Sequence, residues 1–466
     1  MRIDALSTAK LASLPNRLLH GRIFQAAGIT MGAQVISQII RLGGNLIMAR
    51  LLAPEMFGLM SIVVTTHVIL ALLSDIGLRP AIIQSQRGDD PVFLNTVWTV
   101  QVLRGGGLFV ACVAIALGLH VAALYDLFDP KSALGSPQLP LVLVVASISG
   151  VISSLQTSNY VTANRNLNLR GIVTIDLLAQ AAGLIAMVAF GLLTRSIWAL
   201  VLGAIVSATV STALGHKYLP GIPNRFMLNR EVLAEVSRFG FWILVSSITS
   251  VLALNLDRIY LGAAITATAL GIYAIALNLY QAVDMLISRL FETVLLPVLS
   301  EASRTSREKL RSELNRLRPP FDIWYLGTAG MIYVLGPSIV HILYDQRYVE
   351  AGSLLQILSF ALIFVRYNVF NTTYVAIGRS DYQAAINIIR LVSIAVLLPL
   401  LFSYYGLEGA TYAVALHPII ILPIHFWLFR KLGLLNLKYE ILVLPTWGLG
   451  YLAGLVGVQL LALITG

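Results

Sequence analysis

Six arginines, Arg41, Arg104, Arg258, Arg289, Arg366 and Arg390, stand inside stretches that otherwise read as membrane-spanning helices. An arginine at the centre of such a helix costs about 2.5–3.5 kcal/mol. Six of them represent on the order of 15–20 kcal/mol if none is relieved. Residues this costly persist where they face a water-filled cavity or an anionic partner, not lipid. A guanidinium presents two parallel hydrogen bonds in one plane and cannot lose its charge, which suits a phosphate or diphosphate. The chemistry these positions offer is the binding of a negatively charged cargo.

Polar residues at helical spacing accompany the arginines. On the first apolar stretch Gln34, Gln38, Arg41 and Asn45 are spaced 4, 3 and 4, which is one helical face. The seventh carries Ser246, Ser250 and Asp257 with Arg258 beside them, the eighth Asn278, Gln281, Ser288 and Glu292, and the eleventh Asn387 and Arg390. Such faces line a cavity or join helices. A stripe holding an arginine is expected to line a cavity. Arg41, Arg104, Arg366 and Arg390 have no acidic neighbour on their own helix face, so they are the expected phosphate contacts, converging on one shared cavity. Arg258, Arg289, Gln38 and Asn45 join them as candidate substrate contacts, although Arg289 and Glu292, at i and i+3, can also neutralise each other.

The acids inside apolar stretches, Asp176, Asp257, Asp284 and Glu292, have two readings. A carboxylate in a low-dielectric site can bind H⁺ or Na⁺ and couple transport to an ion gradient. It can equally form salt bridges to the arginines. His67, His417 and His425 read as ordinary interhelical hydrogen-bonders. No His, Cys, Asp or Glu cluster has metal spacing, no phosphate-binding P-loop is present, and no cofactor is expected. The lone Cys112 excludes a disulfide framework.

The elements that must position these residues follow from composition. Of 466 residues 58% are hydrophobic and only 12% charged, against about 25% charged in a soluble domain. The mean hydropathy is +0.83. The apolar stretches match the roughly 20 residues that cross a bilayer as helix. Thirteen spans are expected, at approximately 24–49, 55–78, 92–119, 138–163, 171–194, 196–216, 239–263, 268–298, 320–344, 351–377, 382–404, 407–429 and 441–465. The first is too long for a signal peptide and stays as a helix.

With the N-terminus in the cytoplasm, alternate loops collect 22 of the 32 Lys and Arg residues inside and leave 4 outside, the other 6 being the intramembrane arginines. That asymmetry fits the rule that cytoplasmic loops are basic. The segment from Arg304 to Arg318 mixes charge signs at helical spacing, as an amphipathic helix on anionic membrane lipids does. The net charge of +10 therefore speaks for membrane lipids and an anionic cargo, with no nucleic acid.

A short internal repeat relates Phe57-Gly58-Leu59-Met60-Ser61-Ile62 to Leu270-Gly271-Ile272-Tyr273-Ala274-Ile275, 213 residues later. It implies two six-helix lobes in parallel, with cargo between them. The expected divisions are an N-terminal lobe at 1–220, a cytoplasmic linker at 221–238, a C-terminal lobe at 239–431 and an extra C-terminal spanning helix at 432–466.

The run Ala49-Arg50-Leu51-Leu52-Ala53-Pro54-Glu55-Met56-Phe57-Gly58-Leu59, with Leu73-Ser74-Asp75-Ile76-Gly77-Leu78 and Ala81-Ile82-Ile83-Gln84, resembles the polysaccharide transport family. These are Wzx-type oligosaccharide flippases, of the WzxC or ExoT kind, in the multidrug/oligosaccharidyl-lipid/polysaccharide (MOP) exporter superfamily. The resemblance implies an all-α polytopic membrane protein with two bundles in a V. It also implies alternating access, residence in the bacterial inner membrane, and an undecaprenyl-diphosphate-linked oligosaccharide as cargo. Polysaccharide polymerase machinery is the implied partner. Relatives commonly have twelve or fourteen helices, so a count of thirteen leaves the C-terminus outside. Two other classes compete: an ion-coupled antiporter of drugs or metabolites, and a membrane-embedded glycan polymerase, ligase or acyltransferase. Six arginines oppose the first. The longest outside loop, near 120–137, is short for the second.

Overall fold

Apolar runs become helices here because a chain in lipid must satisfy its own backbone groups, and local signals set where they start and stop. The computed structural model describes residues 16–465 apart from 75–77, 79–81, 83–84, 86 and 167, without the side chains of 16–27, 235–248, 250, 289–294, 380 and 464–465. In chain order the helices are α1 (Asn16–Leu51), α2 (Pro54–Leu73), α3 (Pro91–Leu124), α4 (Leu139–Ser154), α5 (Asn159–Arg165), α6 (Leu169–Thr194), α7 (Trp198–Tyr218) and α8 (Arg230–Ala264). They continue with α9 (Ala267–Thr305), α10 (Arg307–Leu343), α11 (Glu350–Val365), α12 (Asn368–Ala376), α13 (Ser380–Leu416), α14 (Pro418–Lys431), α15 (Leu437–Leu442) and α16 (Pro445–Thr465).

Several starts are written in the sequence. Asp90 precedes Pro91 and accepts from the Val92 amide at 2.9 Å. Asn229 accepts from Glu231 and Val232, and Ser306 accepts from Lys309 at 3.1 Å. Each satisfies amides that a helix start leaves open. At Gly406, φ of +57° interrupts α13 and divides the two spans expected at 382–404 and 407–429. Only glycine takes that conformation without strain.

Nine helical runs among the described residues are long and apolar enough to cross a bilayer, or ten if α4 and α5, bent by 57°, count as one span. This is fewer than thirteen. One of the nine, 381–431, holds two of the expected spans, and the long α1 and α8 are not among them.

Helices α1 and α3–α7 pack chiefly on one another, as do α9–α14, α16 lies along α10, and α2 and α8 pack across both groups. The two groups are joined mainly where α2 meets α8 and α9. The repeat glycines make that junction. A Cβ at Gly58 would lie 1.9 Å from the Ala267 carbonyl oxygen, and one at Gly271 would lie 1.8 Å from that of Pro54. Pro54 and Ala267 are themselves 213 residues apart, so the contact is the same in both directions. The repeat segments thus pack against each other, backbone to backbone, as small residues permit between membrane helices. Leu59, Ile62, Val63, Leu270, Tyr273 and Ile275 continue the crossing into one buried core.

The end of the bundle that carries Arg50, Lys131 and Arg347 is sealed around this crossing. Ala133 and Leu134 donate to the Ile265 and Gly262 carbonyls at 3.0 and 2.9 Å. Arg347 Nη2 donates to the Ala49 and Arg50 carbonyls at 3.0 and 3.2 Å, which caps the end of α1. Its hydrogen bonds to Asp345 hold that carboxyl below the usual range.

A buried ion-pair cluster docks the C-terminal segment. Arg318 on α10 meets Glu440 on α15 with two parallel hydrogen bonds, its Nη2 lying 3.0 Å from Oε2. Its Nε lies 2.9 Å from Asp322. Arg366, after α11, reaches Asp322 at 3.2 Å and Glu440 at 3.0 Å. Tyr439 donates to Asp322 at 2.9 Å. Two cations and two anions, all 8% exposed or less, cancel each other.

Two outcomes are expected. Gly58→Ala or Gly271→Leu forces α2 and α9 apart and removes roughly 1–3 kcal/mol, seen as a lower thermal midpoint in detergent; an unchanged midpoint in both would mean that the crossing is slack. Glu440→Ala leaves two buried guanidinium groups short of a partner. It is expected to remove about 3–5 kcal/mol and to open α15 to proteolysis, whereas Lys438→Ala on the same segment does neither.

Candidate functional site

The polar faces of α9, α12 and α13 meet inside the second helix group. There Arg390 lines two adjoining cavities, of about 410 and 210 Å³, which also share Asn368. The larger takes Ser288 and Tyr325 from α9 and α10, Asn371 and Thr372 from α12, and Gln383 and Asn387 from α13. The smaller takes Asp257 from α8, Tyr280, Gln281 and Asp284 from α9, and His417. Arg390 is half-buried and makes no hydrogen bond or ion pair with any described residue. A charge held in a low-dielectric wall without a counter-ion is unfavourable unless something anionic completes it.

Hydroxyl groups occupy the acids beside it. Ser288 donates to Asp284 Oδ1 at 2.9 Å and lies 2.9 Å from the Tyr325 hydroxyl. Asp257 is 4% exposed and accepts from Tyr273 through Oδ2 at 2.5 Å. Its Oδ1 is buried without a hydrogen-bond partner among the described residues. Arg258 turns away and donates to Asn255 at 3.1 Å, so the neighbours Asp257 and Arg258 do not pair.

A third cavity, of about 270 Å³, lies in the first helix group between α1 and α6. Thr30, Gln34, Ser37, Asn164, Asp176 and Gln180 are its polar lining, and Ala33, Ile172, Val173 and Leu177, interleaved with them on the same two helices, are apolar. Ser37 donates to Gln180 Oε1 at 2.6 Å, and Tyr160 donates to Asp176 at 3.4 Å. Helix α9 links this cavity to those around Arg390. Gln34 Nε2 and Arg41 Nη2 both donate to the Met285 sulfur, at 3.0 and 3.4 Å, next to Asp284. A thioether is a weak acceptor for an amide and a guanidinium.

The four arginines expected to share one cavity do not. Arg390 lines a cavity, and Arg41 stands near it, exposed, with Gln38 accepting from it at 2.9 Å. Arg104 instead ties α3 to the end of α2, donating to Ser74 Oγ at 2.9 Å and to the Ala71 carbonyl. Arg366, 2% exposed, belongs to the ion-pair cluster with Asp322 and Glu440. Inspection of one helix face missed this because both acids come from other parts of the chain. Arg318 and Asp322, at i and i+4, were the available signal. Gln38 is buried and Asn45 half-buried on α1. The side chains of Arg289, Glu292, Ser246 and Ser250 lie outside the described residues. Asn368, Asn371 and Thr372 form a polar patch at i, i+3 and i+4 that no charge marks in the sequence. His425 makes the interhelical contact expected of it, 3.1 Å from the Tyr374 hydroxyl.

Comparison with known proteins agrees with this architecture. The profile of the family described as polysaccharide biosynthesis protein matches residues 47–352. The succinoglycan biosynthesis transport protein ExoT of Rhizobium meliloti (strain 1021) is 24% identical over 302 residues, covering 62% of this chain and 58% of that protein. The lipopolysaccharide biosynthesis protein WzxC of Escherichia coli (strain K12) is 26% identical over 336 residues, covering 69% and 64%. The matches therefore span less than two thirds of either relative's length. Among solved structures, the lipid II flippase MurJ in its inward closed conformation superposes with a TM-score of 0.65 at 15% identity, covering 93% of this chain and 98% of that one. An inward-facing multidrug resistance MATE family transporter of the MOP superfamily gives 0.62 at 14% identity, covering 92% and 96%. The protein is an all-helical, multi-pass membrane protein with a MOP-type fold, and it belongs to the polysaccharide biosynthesis protein family.

Proposed function

We propose that the protein is a flippase that moves undecaprenyl-diphosphate-linked oligosaccharide repeat units across the bacterial inner membrane, for exopolysaccharide, capsule or O-antigen synthesis. The observation that carries this reading is Arg390, a guanidinium with no described partner on the wall of two joined cavities. A diphosphate supplies the missing charge and the oxygens for a bidentate contact. Arg41, which donates to Gln38 and to the Met285 thioether, reaches the same helix from the other group and is the second diphosphate contact. Family membership and the MOP-type fold support transport in place of glycan chemistry.

In this reading α1–α7 and α8–α14 are the two lobes. The basic loops face the cytoplasm, and the sealed end with Arg50, Lys131 and Arg347 faces outward. The cargo enters from the cytoplasmic side, and release requires the sealed end to part. Asp257, with one oxygen unpartnered among the described residues, is the coupling carboxylate for H⁺ or Na⁺. Polymerase machinery on the outer face receives the repeat unit.

Each charged hydrogen bond to a diphosphate is worth roughly 1.5–3 kcal/mol. Arg390→Ala is therefore expected to weaken binding of a polyprenyl diphosphate by about tenfold or more, read by tryptophan quenching of the purified protein. Arg390→Lys recovers part of it, because charge is kept and the fork is lost. Unchanged binding in Arg390→Ala would overturn the reading. In proteoliposomes, Asp257→Asn is expected to disconnect flux from the ion gradient while cargo binding persists. A wild-type flux indifferent to both proton and sodium gradients would remove the coupling role.

A further inference from the structure

The seal at the end that carries Arg347 is built twice, and its two halves are made of different bonds. In one half the loop after α3 grips the end of α8, with Leu134 donating to the Gly262 carbonyl and Ala133 to that of Ile265. In the other the loop after α10 grips the end of α1. There Arg347 Nη2 donates to the Ala49 carbonyl, and the Tyr348 hydroxyl donates to that of Leu52 at 3.4 Å. The repeat offset of 213 residues relates Ala49 to Gly262, Leu52 to Ile265 and Leu134 to Arg347. Each repeat thus holds the end of the other's first helix, at equivalent positions.

The half at α8 is made of backbone, and it is dry. Ser132, Ala133 and Gly262 are buried, and Ser132 pairs with Thr266 in an antiparallel bridge. The loop is also tied to itself: Ser132 donates to the Asp129 carbonyl at 2.8 Å, and Gly135 donates to Ser132 Oγ at 3.1 Å. Parting buried peptide groups leaves each without a partner, at its full desolvation cost. The half at α1 is made of side chains, and its charged part is wet. The Arg347 and Asp345 side chains are 42% and 36% exposed. Asp345 aims the guanidinium at α1, with Arg347 Nε 3.0 and 2.9 Å from its two oxygens. Water can replace such contacts as they break, so their net worth is small. The arginine can also swing aside without moving its own backbone.

We propose that the Arg347 half is the latch of this end and the Ala133–Leu134 half its hinge, with Asp345 aiming the latch. The end then opens by parting α1 from the α10–α11 loop, while α8 stays fixed to the loop after α3. That this end opens in transport rests on the reading above; which half releases does not.

Cysteine labelling tests the assignment without any cargo. With Cys112→Ala in place, Ala49→Cys lies under the latch and Ala133→Cys under the hinge, both at buried positions. Maleimide labelling of each is timed in the purified full-length protein. Arg347→Ala is expected to speed labelling of Ala49→Cys about tenfold, the effect of one charged hydrogen bond on a local opening. Labelling of Ala133→Cys is expected to stay within about twofold. Asp345→Asn is expected to act in the same direction on Ala49→Cys and by less, because the arginine keeps its reach to α1 and loses its aim. An unchanged rate at Ala49→Cys in Arg347→Ala, or equal acceleration at both positions, overturns the assignment. Should Arg347→Ala not fold, Asp345→Asn decides by the same comparison, and equal rates of change at the two cysteines overturn it. Failure of a polyprenyl diphosphate to bind the protein counts against the flippase reading alone, since these rates need no cargo.

Discussion

The architecture depends on one backbone contact. Where α2 crosses α9, Gly58 sits against the Ala267 carbonyl and Gly271 against that of Pro54. Lipid gives helices no hydrophobic reason to associate, so close van der Waals approach must do it. The crossing fixes how the two helix groups face each other. From it follow the sealing of the end around Arg347 and the opposition of α1 to α9, and with them the placement of the cavities on the two sides of Met285. The same contact is made in both directions, Gly58 against Ala267 and Gly271 against Pro54, so the two repeat segments contribute equally to it.

The protein handles intramembrane charge in two ways. Around Glu440, two guanidinium groups and two carboxylates cancel in a closed cluster with Tyr439. Such a cluster gives little net stability against an apolar replacement, but it is costly to break singly. Arg390 is the opposite case. Its charge is held on a cavity wall by packing alone among the described residues, and the acids nearby are taken up by Tyr273, Ser288 and Tyr325. These hydroxyl contacts orient the acids but leave their charge in place, in the same cavity lining as Arg390. A site prepared in this way has its orientation set before the anion arrives.

Much of this was legible in the chain. Helix periodicity, the cost of arginine in lipid and the Gly58–Gly271 offset all follow from residue types and spacing. The two repeat segments, noticed as similar, turn out to touch. What escaped was partnership at a distance. Arg366 and Arg390 look alike on their own helices, yet Arg366 meets Glu440 across 74 residues and Arg390 makes no hydrogen bond or ion pair with a described residue. The spacing on their own helices does not distinguish them, because the difference lies in where α10 and α15 bring their acids. The polar cluster on α12 and the Met285 bridge were missed for a related reason: amides and thioethers carry no charge penalty and so leave no mark in a search for costly residues.

The ion-pair cluster also sets an order of events during synthesis. Glu440 leaves the ribosome 122 residues after Arg318 and 74 after Arg366. At about 5–20 residues per second, Arg366 waits on the order of 4–15 s for its second carboxylate. Through that interval Asp322 alone faces two guanidinium groups, and the half-built bundle carries an uncompensated positive charge at the place where α15 will dock. Burying Arg318 and Arg366 before α15 docks would leave that charge without its second carboxylate, at a cost of several kcal/mol. Completion of the chain is thus coupled to the burial of its own interior charge.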